Sequence, residues 1–298
     1  MANAIKIIRK GTKKWLKENE VEHIDIIKNI ARNSGYQILE RRKGDLKFVR
    51  FRMNLIPTVF VTSEKDVKFL CISDLHISST LINKKKIKCI LNKASKMGVK
   101  YVFISGDLCE GIKMGKGHEN LITTSDSEQQ ADEVVEILKD FNFKYFAISG
   151  NHDFSFELEG QENPLLIIER KMKEMGRFFK FIPSFCASLI VSDFAIKLTH
   201  IDSSFAHCNS KEPCIQYFER IILKRPLEIM HTGKQYPLKI VQIGHMHSNY
   251  LKEYKLGKRN FYIIQPGSTK DDKTKKWSGN RIGFVCDYSK GELFFLPL

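Results

Sequence analysis

No stretch of this 298-residue chain approaches the run of about 18 apolar residues that a membrane span requires. A membrane partner is therefore not expected. The N-terminal Met-Ala-Asn-Ala-Ile-Lys-Ile-Ile-Arg-Lys has charges inside its apolar part and no cleavage pattern, so no signal peptide is expected. Cysteine is sparse: seven residues, at 71, 89, 109, 186, 208, 214 and 286, an odd number with no Cys-x-x-Cys pair. That pattern argues against a disulfide framework and for free, buried thiols in a reducing cytoplasm. No internal repeat and no low-complexity tract is present.

What the chain has in quantity is apolar side chains and positive charge. At 42% hydrophobic and 11% aromatic it can bury the core of one large domain, or of a domain with an appendage. The formal charge is +15 and it is uneven. Residues 1–60 hold 14 Lys/Arg against 6 Asp/Glu, and the remaining 238 hold 35 against 28. A basic segment on a milder body suits a polyanionic partner; a solvated, lysine-rich surface accounts for the same numbers.

The first 60 residues read as a unit. A short helix is predicted over 4–17, interrupted at Gly11-Thr12, and a better one over 20–33, where Val21, Ile24, Ile27, Ile30 and Ala31 share a face. Tyr36–Arg41 and Leu46–Met53 read as strands around the turn signal Arg42-Lys43-Gly44-Asp45. A helix followed by a basic hairpin is compatible with a small winged-helix module at 1–60, and equally with a basic extension packed on the body at 61–298.

From Val67 the pattern alternates strand and helix, as in layered α/β folds. Strands are predicted at 68–73, 99–105, 144–149, 194–199 and 238–243, with helices at 83–97, 126–140, 164–175 and near 214–224. Five of the apolar runs end in residues able to bind metals: Asp74 and His76, Asp107, Asn151 and His152, His200, His245 and His247. Sites in α/β sheets gather at the carboxyl ends of strands. Residues two apart on an extended segment point the same way, so Asp74 with His76, and His245 with His247, can each aim a pair inward. The glycines before Asp107, Asn151 and His245 permit sharp turns and close approach. The donors are carboxylate, imidazole and amide, without thiolate, which suits Mn, Fe, Zn, Ni or Co. His118, in the polar loop 111–125, reads as an ordinary loop histidine, and Cys109 as a buried thiol.

In the order Asp74-x-His76, Gly106-Asp107, Gly150-Asn151-His152-Asp153, His200, Gly244-His245-x-His247, residues 67–298 resemble the calcineurin-like metallophosphoesterase superfamily. The resemblance implies a four-layer αββα sandwich. It implies two divalent ions, Mn foremost, one held by Asp74, His76, Asp107 and His247 and one by Asp107, Asn151, His200 and His245. His152 would be the proton donor to the leaving oxygen and Asp153 its orienting partner. Gly267-Ser268 resembles the family's late Pro-Gly-Ser turn. Such an ion pair activates water for in-line attack on a phosphate ester. A phosphodiesterase acting on nucleic acid or nucleotides is the leading expectation. The alternative is a DNA- or partner-binding protein whose metallophosphoesterase domain is mainly a scaffold. Gly-Asp-Leu-Cys-Glu-Gly lacks the Asp-Arg-Gly of the protein phosphatase branch, and Asp153 stands where that branch has Glu; protein phosphatase activity is disfavoured. Ile201-Asp202 replaces the glycine that many relatives have after the histidine equivalent to His200.

Overall fold

The structure, a computed structural model, describes residues 15–25, 27–28, 36–43, 45–53, 56–200, 228–247, 249–256, 259–270 and 283–298. Residues 4–14 of the helix expected over 4–17, residues 29–33 of the one expected over 20–33, and the helix expected near 214–224 lie outside the described residues.

The N-terminal region forms a three-stranded antiparallel sheet from β1 (Leu16–Lys17), β2 (Tyr36–Lys43) and β3 (Leu46–Met53), in the order β1-β3-β2. The predicted hairpin closes on the pair Lys43↔Leu46. Leu16 and Lys17 do not end a helix as expected: they pair with Val49 and Phe48, which buries Leu16 beside Val49. The next helix also begins later than its periodicity suggests. Glu18–Glu20 is a 3-10 turn, and the described helical residues are Ile24, Asp25, Ile27 and Lys28. Lys28 is almost wholly buried, and its ammonium lies 2.7 Å from both Glu18 and Glu40. A buried charge held from two sides ties helix to hairpin.

The body is two sheets packed face to face. The chain enters through β4 (Thr58–Thr62) and then builds β5 (Val67–Ile72), α1 (Lys84–Lys96), β6 (Tyr101–Ser105), α2 (Ser127–Leu138) and β7 (Lys144–Ile148). There follow α3 (Asn151–Leu158), α4 (Pro164–Glu174) and β8 (Phe179–Ile182). Strands β5 to β8 are parallel neighbours in that order. Buried on both faces, they are near-continuous apolar runs, as parallel sheets require. Asn83, Asp126 and Asn163 cap helices α1, α2 and α4 by accepting a backbone N–H.

The second sheet comprises β9 (Cys186–Val191), β10 (Phe194–His200), β11 (Glu228–His231), β12 (Lys234–Gly244), β13 (Tyr250–Leu256) and β14 (Arg259–Gln265), with β4 at one edge. The chain then returns to the first sheet as β15 (Gly283–Ser289), antiparallel to β5, and β16 (Glu292–Pro297) at the edge. Alternation along each strand sets the layers. Phe69, Phe103 and Phe146 meet Leu189, Phe194, Leu198 and Ile240 between the sheets. Leu70, Val102, Ile104 and Tyr145 face the opposite way, onto Leu91, Val134, Leu138 and Ile168 of the helices. Full burial of such a side chain contributes about 1.5–3 kcal/mol, so these two seams dominate the stability of the body. A further buried set, with Val241, Ile243 and Ile263 at its centre, lines the outer face of the second sheet.

Gln242 bolts the sheets together under the site. It is fully buried on β12, and its side-chain N–H groups reach the Ile72 and Phe103 carbonyls at 2.8 and 3.0 Å and the Ser105 hydroxyl at 2.9 Å. The carboxyl ends of β5, β6 and β7 thereby lie against those of the parallel pair β10 and β12, where His200 is in register with Gly244.

Candidate metal centre

At that seam the backbone is bent out of its ordinary range. Asp74, His76, Asp107, His245 and His247 all have positive φ, between 48° and 87°. Left-handed backbone at residues other than glycine costs about 1–3 kcal/mol each and collects at functional sites. Each bend lies one to four residues past a strand end. The glycines between them allow the crowding. A Cβ on Gly244 would lie 2.1 Å from the Ser105 carbonyl and 2.6 Å from the His200 ring, and one on Gly150 would lie 2.1 Å from the Asp107 carboxylate.

The donors form two groups that share Asp107. In the first, Asp74, His76, Asp107 and His247 present ligand atoms all within 4.8 Å of one another. The Nε2 atoms of His76 and His247 face each other at 2.8 Å, and His247 Nε2 is 3.6 Å from the Asp74 carboxylate. Both Asp74 oxygens accept the His245 N–H, at 2.9 and 3.0 Å. In the second group, Asp107, His200 and His245 converge, and Asn151 Oδ1 lies 3.0 Å from His200 Nε2 and 2.9 Å from His245 Nδ1. Asp107 Oδ2 stands between the groups, 3.9 Å from His76 Nε2 and 3.3 Å from His200 Nε2, buried and without an aligned hydrogen bond. A buried carboxylate oxygen left open beside several ring nitrogens suits divalent cations with nitrogen and oxygen ligands.

The electrostatics agree. Burial pushes the Asp74 carboxyl up to about 7, the neighbouring Asp107 adding to it against His200. Burial would raise Asp107 too, but the imidazoles of His200, His152 and His76 outweigh it and hold this carboxyl well below the usual carboxylate range. Burial opposes a proton on His200, yet Asp107 and the Ser105 carbonyl raise its pKa to about 9. Burial, then His152 and Lys270, keep His76 well below its ordinary value. The protein alone thus stabilises an Asp107–His200 ion pair, whose proton a bound cation would replace.

The tetrad Gly150-Asn151-His152-Asp153 does not end in a loop. It opens helix α3, which the sequence pattern did not suggest because Phe154, Phe156 and Leu158 alternate with period two. Asp153, at the third helical position, accepts the Gly150 N–H at 2.9 Å, a reach back to the cap that starts the helix. It also accepts the Cys109 N–H at 2.9 Å. Its carboxyl, raised to about 7 by burial and by Asp107, braces two backbone turns. The family resemblance implies Asp153 as the partner of the His152 ring; here the ring's Nδ1 instead meets the Glu110 carbonyl, and the His152 N–H meets Asp107 Oδ1 at 2.9 Å. Cys109 is a buried thiol, as expected, with its pKa pushed far up by burial.

Glu110 and Lys270 also belong to the centre, and His118 departs from the loop position its sequence suggests. Glu110 is fully buried, with its carboxylate 2.6 Å from Lys270 Nζ, 3.1 Å from His118 Nε2 and 3.0 Å from His76 Nδ1. His118 is no surface loop residue: it is buried, with its ring 5.9 Å from that of His152. The available signal was a glutamate embedded in Leu-Cys-Glu-Gly-Ile, where a lone acid needs partners. The late turn is latched as well, the Ser268 hydroxyl donating to the Asp74 carbonyl at 2.8 Å.

Residues 67–266 match the family model of calcineurin-like phosphoesterase, and the chain belongs to that family. It is 26% identical over 227 residues to the DNA polymerase II small subunit of Methanothermobacter thermautotrophicus, a match covering 64% of this chain and 46% of that protein. The chain therefore spans under half the length of that relative. Among solved structures it is similar to a predicted phosphoesterase from Streptococcus pneumoniae (11% identity, TM-score 0.35, 79% of this chain and 99% of that one). It is also similar to the NAD nucleotidase of Haemophilus influenzae (12% identity, TM-score 0.40, 78% and 50%). Among the described residues no helix is long and apolar enough to cross a membrane.

Proposed function

We propose that the chain is a phosphoesterase working with two divalent ions, Mn foremost, on phosphodiesters of nucleic acid or nucleotides in the cytoplasm. The observation that carries this reading is Asp107, shared by two donor groups with one oxygen open to both. When bound, such ions supply water deprotonated at neutral pH and positive charge for the phosphoryl oxygens. Asp74, His76, Asp107 and His247 would hold one, and Asp107, Asn151, His200 and His245 the other.

The chain's own chemistry centres on His152. A carbonyl can only accept, so Nδ1 facing the Glu110 carbonyl carries the proton. Nε2, at the half-buried rim, takes up a second proton, and the resulting imidazolium can pass it to the departing oxygen. The His152 N–H on Asp107 Oδ1 fixes the distance between that acid and the shared carboxylate. Ser105 does the same for His200: its carbonyl takes the Nδ1 proton at 2.7 Å, so Nε2 turns to Asp107 and Asn151.

The nucleic-acid part of the reading rests on the N-terminal region. Leu16, Ile27 and Val49 pack against Phe154 and Phe185, and Phe154 lies two residues from His152. Exposed Arg42, Lys43 and Lys47 sit on the hairpin of that same unit, a winged-helix-like arrangement seated beside the centre. The relative that is a DNA polymerase small subunit supports a nucleic-acid setting, and also supports the second reading, in which the domain is chiefly a scaffold for a partner. Against a scaffold, every donor position is filled.

Turnover of single-stranded DNA, a cyclic nucleotide and p-nitrophenyl phosphate with added Mn tests the proposal. Hydrolysis of DNA at low salt supports the nuclease reading. Hydrolysis of the small esters alone limits the substrate to nucleotides. No hydrolysis of any of the three leaves the scaffold.

A further inference from the structure

We infer that Glu110 is the positioning residue of the first metal group, setting the tautomer and basicity of His76 while Lys270 and His118 hold the carboxylate in place. This rests on the two-ion reading above. A fully buried carboxylate is costly unless it is paired. Glu110 is surrounded by donors from three separate segments: Lys270 after β14, His118 from the loop before α2, and His76 after β5. Its backbone is fixed too, the Glu110 N–H donating to the Ile77 carbonyl at 2.8 Å.

The geometry at His76 is directional. Nε2 faces His247 and Asp107, and Nδ1 lies 3.0 Å from Glu110 Oε2, within ion-pair distance but not aligned as a hydrogen bond. Only a proton on Nδ1 makes that approach to a carboxylate attractive. With the proton on Nδ1, the Nε2 lone pair is free for a cation, and the carboxylate makes that nitrogen a stronger donor. Losing such an outer partner typically costs about 10–100-fold in metal affinity. His76, Glu110 and His152 also form a cluster with metal-ligand spacing. A third cation there is disfavoured, because the Lys270 ammonium already sits 2.6 Å from the carboxylate.

Lys270 explains why the buried charge is tolerated. It neutralises Glu110 while, in the same turn, Ser268 and Thr269 bond the Asp74 and Leu75 carbonyls. One turn after β14 thus braces both Asp74 and, through Glu110, His76.

The test is Mn titration by calorimetry of wild type, E110Q and the double variant E110Q/K270M, which leaves no orphaned buried charge. It is paired with ¹⁵N NMR of the His76 ring in the wild-type protein. The inference expects one of two Mn equivalents to weaken by about 10–100-fold in both variants. The other should hold within about threefold, with the metal-free melting temperature of the double variant little changed. The wild-type His76 ring should carry its proton on Nδ1 both with and without Zn, a signature that loose packing would not produce. Unchanged affinity for both equivalents, equal weakening of both, a third Mn equivalent lost in E110Q, or a proton on Nε2 overturns it. Fewer than two Mn equivalents in wild type would instead overturn the two-ion reading, and the tautomer measurement still decides on Glu110.

Discussion

The two halves of the centre solve one problem differently. Both must hold imidazoles at a fixed angle to the shared Asp107. In the half built from Asn151, His200 and His245, Asn151 opens helix α3 and His200 closes strand β10, and a backbone carbonyl orients the His200 ring. In the half built from Asp74, His76 and His247, all three residues have left-handed backbone, and the brace is a side-chain hub of Glu110, Lys270 and Ser268. Regular structure preorganises most of the second half, where His245 alone of the three has left-handed backbone. The first stores strain of about 1–3 kcal/mol per residue, which surrounding contacts must offset. The second half should therefore take the tighter ion, and the first should be the half that mutation loosens.

The largest expected effect comes from removing what the halves have in common. Asp107→Asn should abolish both Mn equivalents and lower turnover by about 10⁴-fold, since charge stabilisation worth several kcal/mol is lost. Retention of either ion at wild-type affinity would show that the halves are independent. Next is His152→Ala, which removes none of the proposed ligands and keeps the backbone N–H on Asp107. Both Mn equivalents should stay, while turnover of an ester with a poor leaving group falls by about 10²–10³-fold. With p-nitrophenolate as leaving group the fall should be much smaller, and equal losses on the two esters would deny His152 its role as acid.

The pH dependence of Mn binding sharpens the contrast. His200 has a raised pKa of about 9, so below that pH a cation must displace its proton. Affinity in the second half should thus drop by about tenfold per pH unit on descending from pH 9. Asp74 has a raised pKa of about 7, so the first half should gain little from raising the pH beyond 7. Proton release measured by calorimetry in two buffers of different ionisation enthalpy checks both, and identical profiles for the two equivalents would erase the difference. The smallest effect should come from Gln242→Leu under both halves. It should cost about 1–3 kcal/mol of stability through lost hydrogen bonds and unsatisfied carbonyls, and weaken both equivalents alike.

The first-half and second-half donors were legible in the sequence because each stands at the end of an apolar run, where strand direction alone puts it near the seam. The close approach expected at the glycine before Asp107 is present in the fold: a Cβ on Gly106 would lie 2.4 Å from the His200 ring. What the sequence hid are partners joined only by the fold. Glu110 and Lys270 are 160 positions apart, and nothing local marks either. Gln242 reads as one more polar residue in a strand until the other sheet lies against it. Helix α3 was hidden because its phenylalanines serve two cores: Phe156 packs with the helix layer and Phe154 with the N-terminal sheet. Such double duty breaks helical periodicity. Leu16 and Lys17 show the same override, since pairing with β3 decides their conformation rather than the residues before them.

Electron paramagnetic resonance during Mn titration tests the central claim most directly. Two donor groups bridged by one carboxylate predict two Mn per chain whose second equivalent replaces the isolated six-line signal with a spin-coupled one, and Asp107→Asn should prevent that coupling. A single tightly bound Mn, or two that titrate as isolated ions, would contradict a centre organised around Asp107.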